Sequence, residues 1–429
     1  MIGFAGLSHL GLVSSIAAAS KGFAVIGVDQ NAELCAELAA GRLPVHEPGL
    51  LELIAEHGKR LTFSTDASAL SSCEVVFVAI DVPTDAADRS DCAPVTALLD
   101  RVASAVRPGT AIVVLSQVNP GFTRAARARV EAAGARLYYQ VETLIFGRAV
   151  EQAVRPERFM VGCADPAAPL LPAFRAFLEA FGCPILPMRY ESAELCKISI
   201  NMCLVSQVST TNMLAEICEG VGAEWREIAP ALRLDRRIGA HAYLGAGLGI
   251  GGGNLQRDMA TIRSLAFDRG ADAALIDTWA TASRYRRDWV LRVLHREVIA
   301  RVDSPAIGVW GLAYKEHTQS TRNSPAVHLL ENLGAFDVAA YDPAAVVPDG
   351  ALPHVRRAPS ALDACQGRDA LLVMTPWPEF SAVDVPAIAG SLRGRVVVDP
   401  FGVIDAGLAQ RSGLSHFRLG TGSTSLAVA

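Results

Sequence analysis

The chain is short of charge. Charged residues make up 19% of its 429 residues and leave a net charge of −5. A nucleic-acid partner is therefore not expected, because binding phosphates needs a basic face. No uninterrupted apolar run reaches the length of a membrane span, so no membrane partner is expected either. The opening MIGFAGLSHLGLV has no basic leader. It predicts a cytoplasmic protein without a signal peptide. The nine cysteines are scattered and include no C-x-x-C pair. They read as reduced, mostly buried thiols. The nine histidines show no metal-ligand spacing, so no metal is expected.

Hydrophobic residues are plentiful, at 51%. A chain this long can bury two or three cores. The first half alternates short apolar runs with helical patterns: IGFAG (2–6), then LVSSIAAASKG as a helix stopping at Gly22, then AVIGVD (24–29), EVVFVAI (74–80) and AIVVLS (111–116). Near-continuous apolar strands of this kind fit a parallel sheet covered on both faces. From about Ser192 to Gly222 there is one long helical pattern without proline and without a strongly polar face. That predicts a helix buried between domains or subunits. A second helical stretch is expected over about 271–301. Strand-and-helix alternation then returns in AIGVWGLAY (306–314), SPAVHLLENLG, DVAAYD, ALLVMTPW and VVVDPFG. No short-period repeat is present. The expected fold is α/β: two Rossmann-like domains, 1–188 and 301–429, joined by a helical dimerisation domain, 189–300, with a long central helix.

GLSHLG (6–11) sits between a strand and a helix. It departs from G-x-G-x-x-G by having Ser8 at the middle glycine, where backbone normally approaches a pyrophosphate. A serine is small and can donate to phosphate, and the helix start still offers free N–H groups. Gly6, Ser8, His9, Leu10 and Gly11 are thus candidate cofactor contacts. Asp29 ends the second strand, where an acid accepts from ribose hydroxyls and disfavours a 2′-phosphate. The expected cofactor is NAD. A dinucleotide-type domain that has lost its ligand is the competing reading.

These segments, together with HEPGL (46–50), VPTD (82–85), AELCKISINMCL (193–204), LDRRIGAHAYLGAGLGIGGG (234–253), GLAYKEHTQSTRNSPA (311–326) and VVVDPFGVID, stand in one order along nearly the whole chain. In that order the chain resembles the UDP-glucose/GDP-mannose dehydrogenases. The resemblance implies an NAD-binding first domain, a dimer formed through the long helix, and a last domain that binds the substrate's nucleotide. It implies oxidation of a sugar CH2OH to a carboxylate through an aldehyde captured by a cysteine. Carried over by position, Lys197 and Asn201 stabilise oxygen charge and position water. Asp258 matches the aspartate closing the cysteine loop, and Glu142 a glutamate of the substrate loop. Pro83, Thr84, Ser116 and Gln117 fall at cofactor-side positions. Arg237 matches an arginine reaching substrate across the dimer. Tyr243, Gly251, Lys315 and Arg322 fall at substrate-side positions. Blander readings stand beside these: Asp258 as a helix cap, Glu142 as a surface acid, Arg237 and Arg322 in surface ion pairs, and Asn254 as a turn residue.

The departures carry information of their own. Asn254 stands at the nucleophilic cysteine. Gln117 replaces a threonine, Phe146 a second acid and Gln256 a proline. Asp81-Val82 alters the cofactor-side loop, and Phe401-Gly402 a loop that carries arginine and asparagine in the family. An amide is no nucleophile, so the covalent second oxidation has no route. Hydride removal needs only a hydride acceptor, a base and donors for oxygen charge. The leading expectation is therefore transient oxidation with hydride return, giving dehydration or else epimerisation of a nucleoside, nucleotide or nucleotide sugar, with specialised or antibiotic metabolism as the expected setting. The alternatives are a two-electron dehydrogenase stopping at aldehyde or ketone, and a non-catalytic NAD- or nucleotide-binding relative.

Overall fold

The structure, a computed structural model, describes residues 1–45, 47–85, 88–346 and 350–422; His46 of the HEPGL run lies outside the described residues. The chain divides into two compact units, Met1–Ile200 and Asn201–Ala429.

The first unit is built on eight strands: β1 (Ile2–Ala5), β2 (Val25–Val28), β3 (Leu61–Ser64), β4 (Val75–Val78), β5 (Ala111–Val114), β6 (Arg136–Gln140), β7 (Phe159–Cys163) and β8 (Ile185–Arg189). Their order is β3-β2-β1-β4-β5-β6-β7-β8. Every pairing is parallel except β6 with β7. Strands β1, β4 and β5 are buried at every residue. That is why their sequences are unbroken apolar runs: each face of the sheet has its own core. Leu12, Ile16, Phe77 and Phe174 belong to one, and Val76, Leu99, Ile112 and Val130 to the other. Strand order reverses at β1, which lies between β2 and β4. The connections leaving β1 and β4 diverge there and open a crevice at the strand C-termini.

The second unit has helices Trp225–Leu234, Asn254–Arg269, Ala274–Arg287 and Trp289–Leu294, then a π-helical turn, His295–Ile299. The helical stretch expected over about 271–301 is made of the last three of these. Six strands follow: β9 (Ala306–Trp310), β10 (Asp337–Tyr341), β11 (Val355–Arg357), β12 (Ala370–Val373), β13 (Val396–Val398) and β14 (Ser415–Phe417). Their order, β11-β10-β9-β12-β13-β14, repeats the switch of the first sheet. Two Rossmann-like α/β sheets therefore stand in one chain without short-period sequence similarity.

The long helix runs from Tyr190 to Val221. It is not buried all round as its composition suggested: in the single chain Met213 is 56%, Ile217 51% and Val221 67% exposed. Among the described residues, no helix is long and apolar enough to cross a membrane.

The start of this helix is fastened into the first unit. Tyr190 Oη donates to the Leu137 carbonyl at 2.6 Å. Glu194 is fully buried and accepts from the amides of Gly121 (2.6 Å) and Thr123 (2.8 Å). Those amides open the helix Phe122–Ala132, so Glu194 supplies a cap that Gly121 cannot. Burial nevertheless outweighs the amides and holds the Glu194 carboxyl above its ordinary value. The unfolded chain therefore ionises this group first as pH rises. Its contribution to stability is largest in acid and declines as pH climbs from the ordinary carboxylate range through the raised folded value. Between about pH 4 and 8, urea unfolding should show the wild type losing stability relative to Glu194→Gln, superimposed on a constant penalty of about 1–3 kcal/mol in the variant for the amide left unpaired. Parallel curves would exclude the assignment.

Candidate functional site

The turn after β1 is set by close packing. Gly6 has φ +91°, and a Cβ there would lie 2.2 Å from Ile80 Cγ2. A Cβ on Gly11 would lie 2.0 Å from the Gly6 carbonyl oxygen, so the helix His9–Ser20 can come this near β1 only with glycine at 11. Ser8 is the N-cap but makes no side-chain cap bond. Its hydroxyl leans toward the Ala79 carbonyl at 3.4 Å. The amides of His9, Leu10 and Gly11 have no acceptor within the helix. Uncapped amides at the switch point of a parallel sheet are the donor set a pyrophosphate requires, so the residues present fit NAD.

Asp29, expected at the ribose, has a structural part as well. It accepts from Leu7 N (2.8 Å) and Asn31 N (3.0 Å), which fixes the turn, and each oxygen keeps capacity for a further donor. Ser116 departs from its expected role. It is fully buried, accepts from Ile80 N at 2.9 Å and donates to Ile80 O at 2.7 Å. Its hydroxyl bonds both the amide and the carbonyl of Ile80 and so shapes the turn after β4. Thr84 pairs with Ser90 as an antiparallel bridge, Pro83 is exposed, and Gln117 is half-buried.

Glu142 follows β6, is half-buried, and accepts the Leu144 amide. Lys197 is half-buried, one helical turn beyond Glu194 and on the same face. Composition offers a signal here that motif reading passed over. Only four of the 39 basic residues are lysines: Lys21, Lys59, Lys197 and Lys315. A chain that otherwise uses arginine has put its compact, rotatable point charge into two of the motifs. Glu47 and Glu194 were also missed as structural acids, although both lie inside quoted motifs.

In the second unit, Asn254 is not a loop residue. It is exposed and is the first residue of the helix Asn254–Arg269, behind the N-cap Gly253. Asp258 is not a cap either. It lies one turn into that helix, 1% exposed, and accepts from Asn201 Nδ2 at 2.5 Å, with Arg257 Nε 3.4 Å from its other oxygen. Asn201 is itself buried, at 8%. The glycine turn is seated on the loop after β9. Asn323 Nδ2 donates to Gly252 O at 3.0 Å. A Cβ on Gly252 (φ +75°) would meet the Tyr314 ring at 2.8 Å, and one on Gly253 would meet Arg322 Nε at 3.0 Å. Gly251 is likewise close to Tyr314. Lys315 Nζ stands 5.8 Å from the Tyr314 ring centroid. The structure thus brings Gly251, Arg322 and Lys315 around one tyrosine at a helix N-terminus, an anion-binding arrangement. Arg237 and Tyr243 are exposed elsewhere in the unit; Arg237 pairs with Asp235 at 2.6 Å.

Among the described residues of this unit, no cysteine lies in the glycine turn or in the helix that follows it. Cys218 and Cys365 are buried, and burial pushes Cys365 up to about 12. Cys203 is exposed on the long helix, away from the glycine turn in sequence.

Comparison with known proteins accounts for the arrangement. Three domain descriptions of one family match in order: the UDP-glucose/GDP-mannose dehydrogenase NAD-binding domain over residues 1–175, the central domain over 191–284, and the UDP-binding domain over 308–406. The UDP-glucose 6-dehydrogenase AglM of Haloferax volcanii is 30% identical, with 96% of this chain and 98% of that protein aligned. A putative UDP-glucose 6-dehydrogenase, YtcA of Bacillus subtilis, is 29% identical over 95% of this chain and 97% of its own. The structure of a UDP-glucose dehydrogenase from Pyrobaculum islandicum superposes with a TM-score of 0.85 at 26% identity, covering 98% of each chain. The chain belongs to the UDP-glucose/GDP-mannose dehydrogenase family and carries its NAD-binding domain.

Proposed function

We propose that this protein oxidises an alcohol of a nucleotide sugar at the expense of NAD and stops at the two-electron level, releasing a carbonyl product. The observation that carries this reading is Asn254 at the first position of its helix, where a thiol would otherwise stand. A helix start lowers a thiol's pKa and prepares it to capture an aldehyde. A carboxamide there neither ionises nor attacks. The first oxidation needs no covalent step. Bound NAD supplies the hydride acceptor. The first-turn amides at 9–11 hold its pyrophosphate and Asp29 its ribose. Lys197 and Asn201 donate to the reacting oxygen as charge builds, and Asp258 fixes the Asn201 amide. Glu142 serves as the proton acceptor. Lys315 and Arg322 take the substrate's phosphates.

Redox-neutral dehydration or epimerisation shares this first step and then returns the hydride. The relatives named above are dehydrogenases, and that favours net oxidation. The apolar side chains exposed along the long helix, Met213, Ile217 and Val221, support a second copy of the chain as partner. That no disulfide joins the nine cysteines among the described residues supports a reducing compartment.

The deciding measurement follows NADH absorbance and product mass together while the protein acts on NAD and a panel of UDP- and GDP-sugars. One NADH per product, with a hydroxylamine-trappable carbonyl, is the expected result. No net NADH, with a product isomeric with the substrate or one water lighter, would establish the redox-neutral route. Two NADH per product, with a carboxylate formed, would overturn the two-electron reading. On the substrate so found, Lys197→Ala should lower kcat by roughly 10²–10⁴-fold with NAD affinity unchanged; full activity would remove Lys197 from the site.

Asn254→Cys tests the position itself. Its thiol should react with iodoacetamide with a pKa below about 8.5, as expected at a helix N-terminus. A pKa at or above that value would show that the position cannot activate a nucleophile.

A further inference from the structure

We infer that Glu47 is a positioning residue that ties the Glu142 loop to the dinucleotide cradle, so that cofactor binding orders that loop. The inference rests on the cofactor and Glu142 assignments above. Glu47 belongs to the HEPGL run, which has no role in the proposed chemistry. Its carboxylate is 1% exposed and has donors from two separate elements. His9 Nε2 lies 2.8 Å from Oε1. Gly147 N reaches both oxygens, at 3.1 and 3.0 Å, and Ala149 N reaches Oε2 at 3.3 Å. The His9 ring also packs on Phe146, with centroids 4.4 Å apart.

The position of these donors gives the carboxylate its consequence. His9 is the first residue of the helix whose open amides face the pyrophosphate. Gly147 and Ala149 close the loop that begins at Glu142. A buried carboxylate gains from each donor that stays in place, so ordering His9 favours ordering residues 147–149. A ligand that orders the first turn of the helix lowers the cost of ordering whatever is fastened to it. Glu47 touches neither cofactor nor substrate in this account; it acts through His9 and the loop backbone.

The test is hydrogen exchange of the full-length protein with and without saturating NAD, with NAD affinity titrated separately for each variant. In the wild type, NAD should slow exchange of the 143–149 amides by at least about fivefold, and in Glu47→Ala by less than about twofold, with the Kd for NAD within about threefold. Glu47→Gln keeps an oxygen for Gly147 and an amide that can pair with the other His9 tautomer, and should recover about half of the NAD-dependent slowing. His9→Leu leaves the Glu47–Gly147 and Glu47–Ala149 bonds in place. It should keep the basal protection and lose the NAD-dependent part, which carries the test should Glu47→Ala fail to fold. A purely structural role would move basal protection and Tm but leave the NAD-dependent part intact. Equal NAD-dependent slowing in wild type and variants, or none in a wild type shown to be saturated, would overturn the inference. Failure of the wild type to bind NAD would overturn the cofactor site, and this coupling with it.

Discussion

Both sheets depend on one hydrogen bond. A carboxylate at the end of the second strand accepts the amide of the residue that follows the first-strand glycine. Asp29 holds Leu7 N at 2.8 Å, and Asp342 holds Leu312 N at 2.6 Å. Each glycine amide in turn reaches the strand beside it, Gly6 to Val28 O and Gly311 to Tyr341 O, both at 2.8 Å. This fixes the path by which the chain leaves the central strand, and with it where the next helix begins. The two units then use the constraint differently. In the first, the helix follows at once and Ser8 leaves its amides uncapped. In the second, residues 311–324 intervene, and Ser324 caps the helix Pro325–Asn332 by accepting from Ala326 N. A bare helix start binds phosphate through backbone dipoles. A capped one cannot, and the second unit offers Lys315 and Arg322 from the intervening loop instead. One topology thus offers open backbone amides in one unit and basic side chains in the other as the groups proposed to take phosphates.

The parts of the molecule that could be read from sequence are those governed by local pattern. Unbroken apolar runs identified the central strands, because covering both faces leaves no polar position in them. The Gly6–Gly11 spacing located the cradle, because two backbones meet there and only glycine fits. The parts that could not be read are governed by partners distant in sequence. Glu194 caps a helix 73 residues away, and Glu47 holds an amide 100 residues away. An acid inside an apolar stretch looks the same whether it binds a ligand or a backbone amide. The long helix is a related case. Its composition shows that apolar surface must be covered, but not by which chain. Ser116 was placed in the cofactor site by position, and only the fold shows its hydroxyl already occupied by Ile80.

The residues around the glycine turn differ in what they reveal about chemistry. Asn201 and Asp258 are buried and bonded to each other. Losing Asp258 takes the printed acceptor from the buried Asn201 amide, and losing Asn201 takes one donor from the buried Asp258 carboxylate, at a cost of about 1–3 kcal/mol. Their presence therefore follows from the fold as well as from catalysis, and by itself would not separate an enzyme from a silent relative. Asn254 is under no such obligation. Its side chain is exposed at a helix start, where a cysteine could be accommodated without displacing any packed group. Packing does not choose between the two residues there, while the chemistry differs completely: one can form a thiohemiacetal and the other cannot. The exposed position, where packing makes no choice, is thus the better witness to what the site does, and it supports the proposal of a carbonyl that is made and not held.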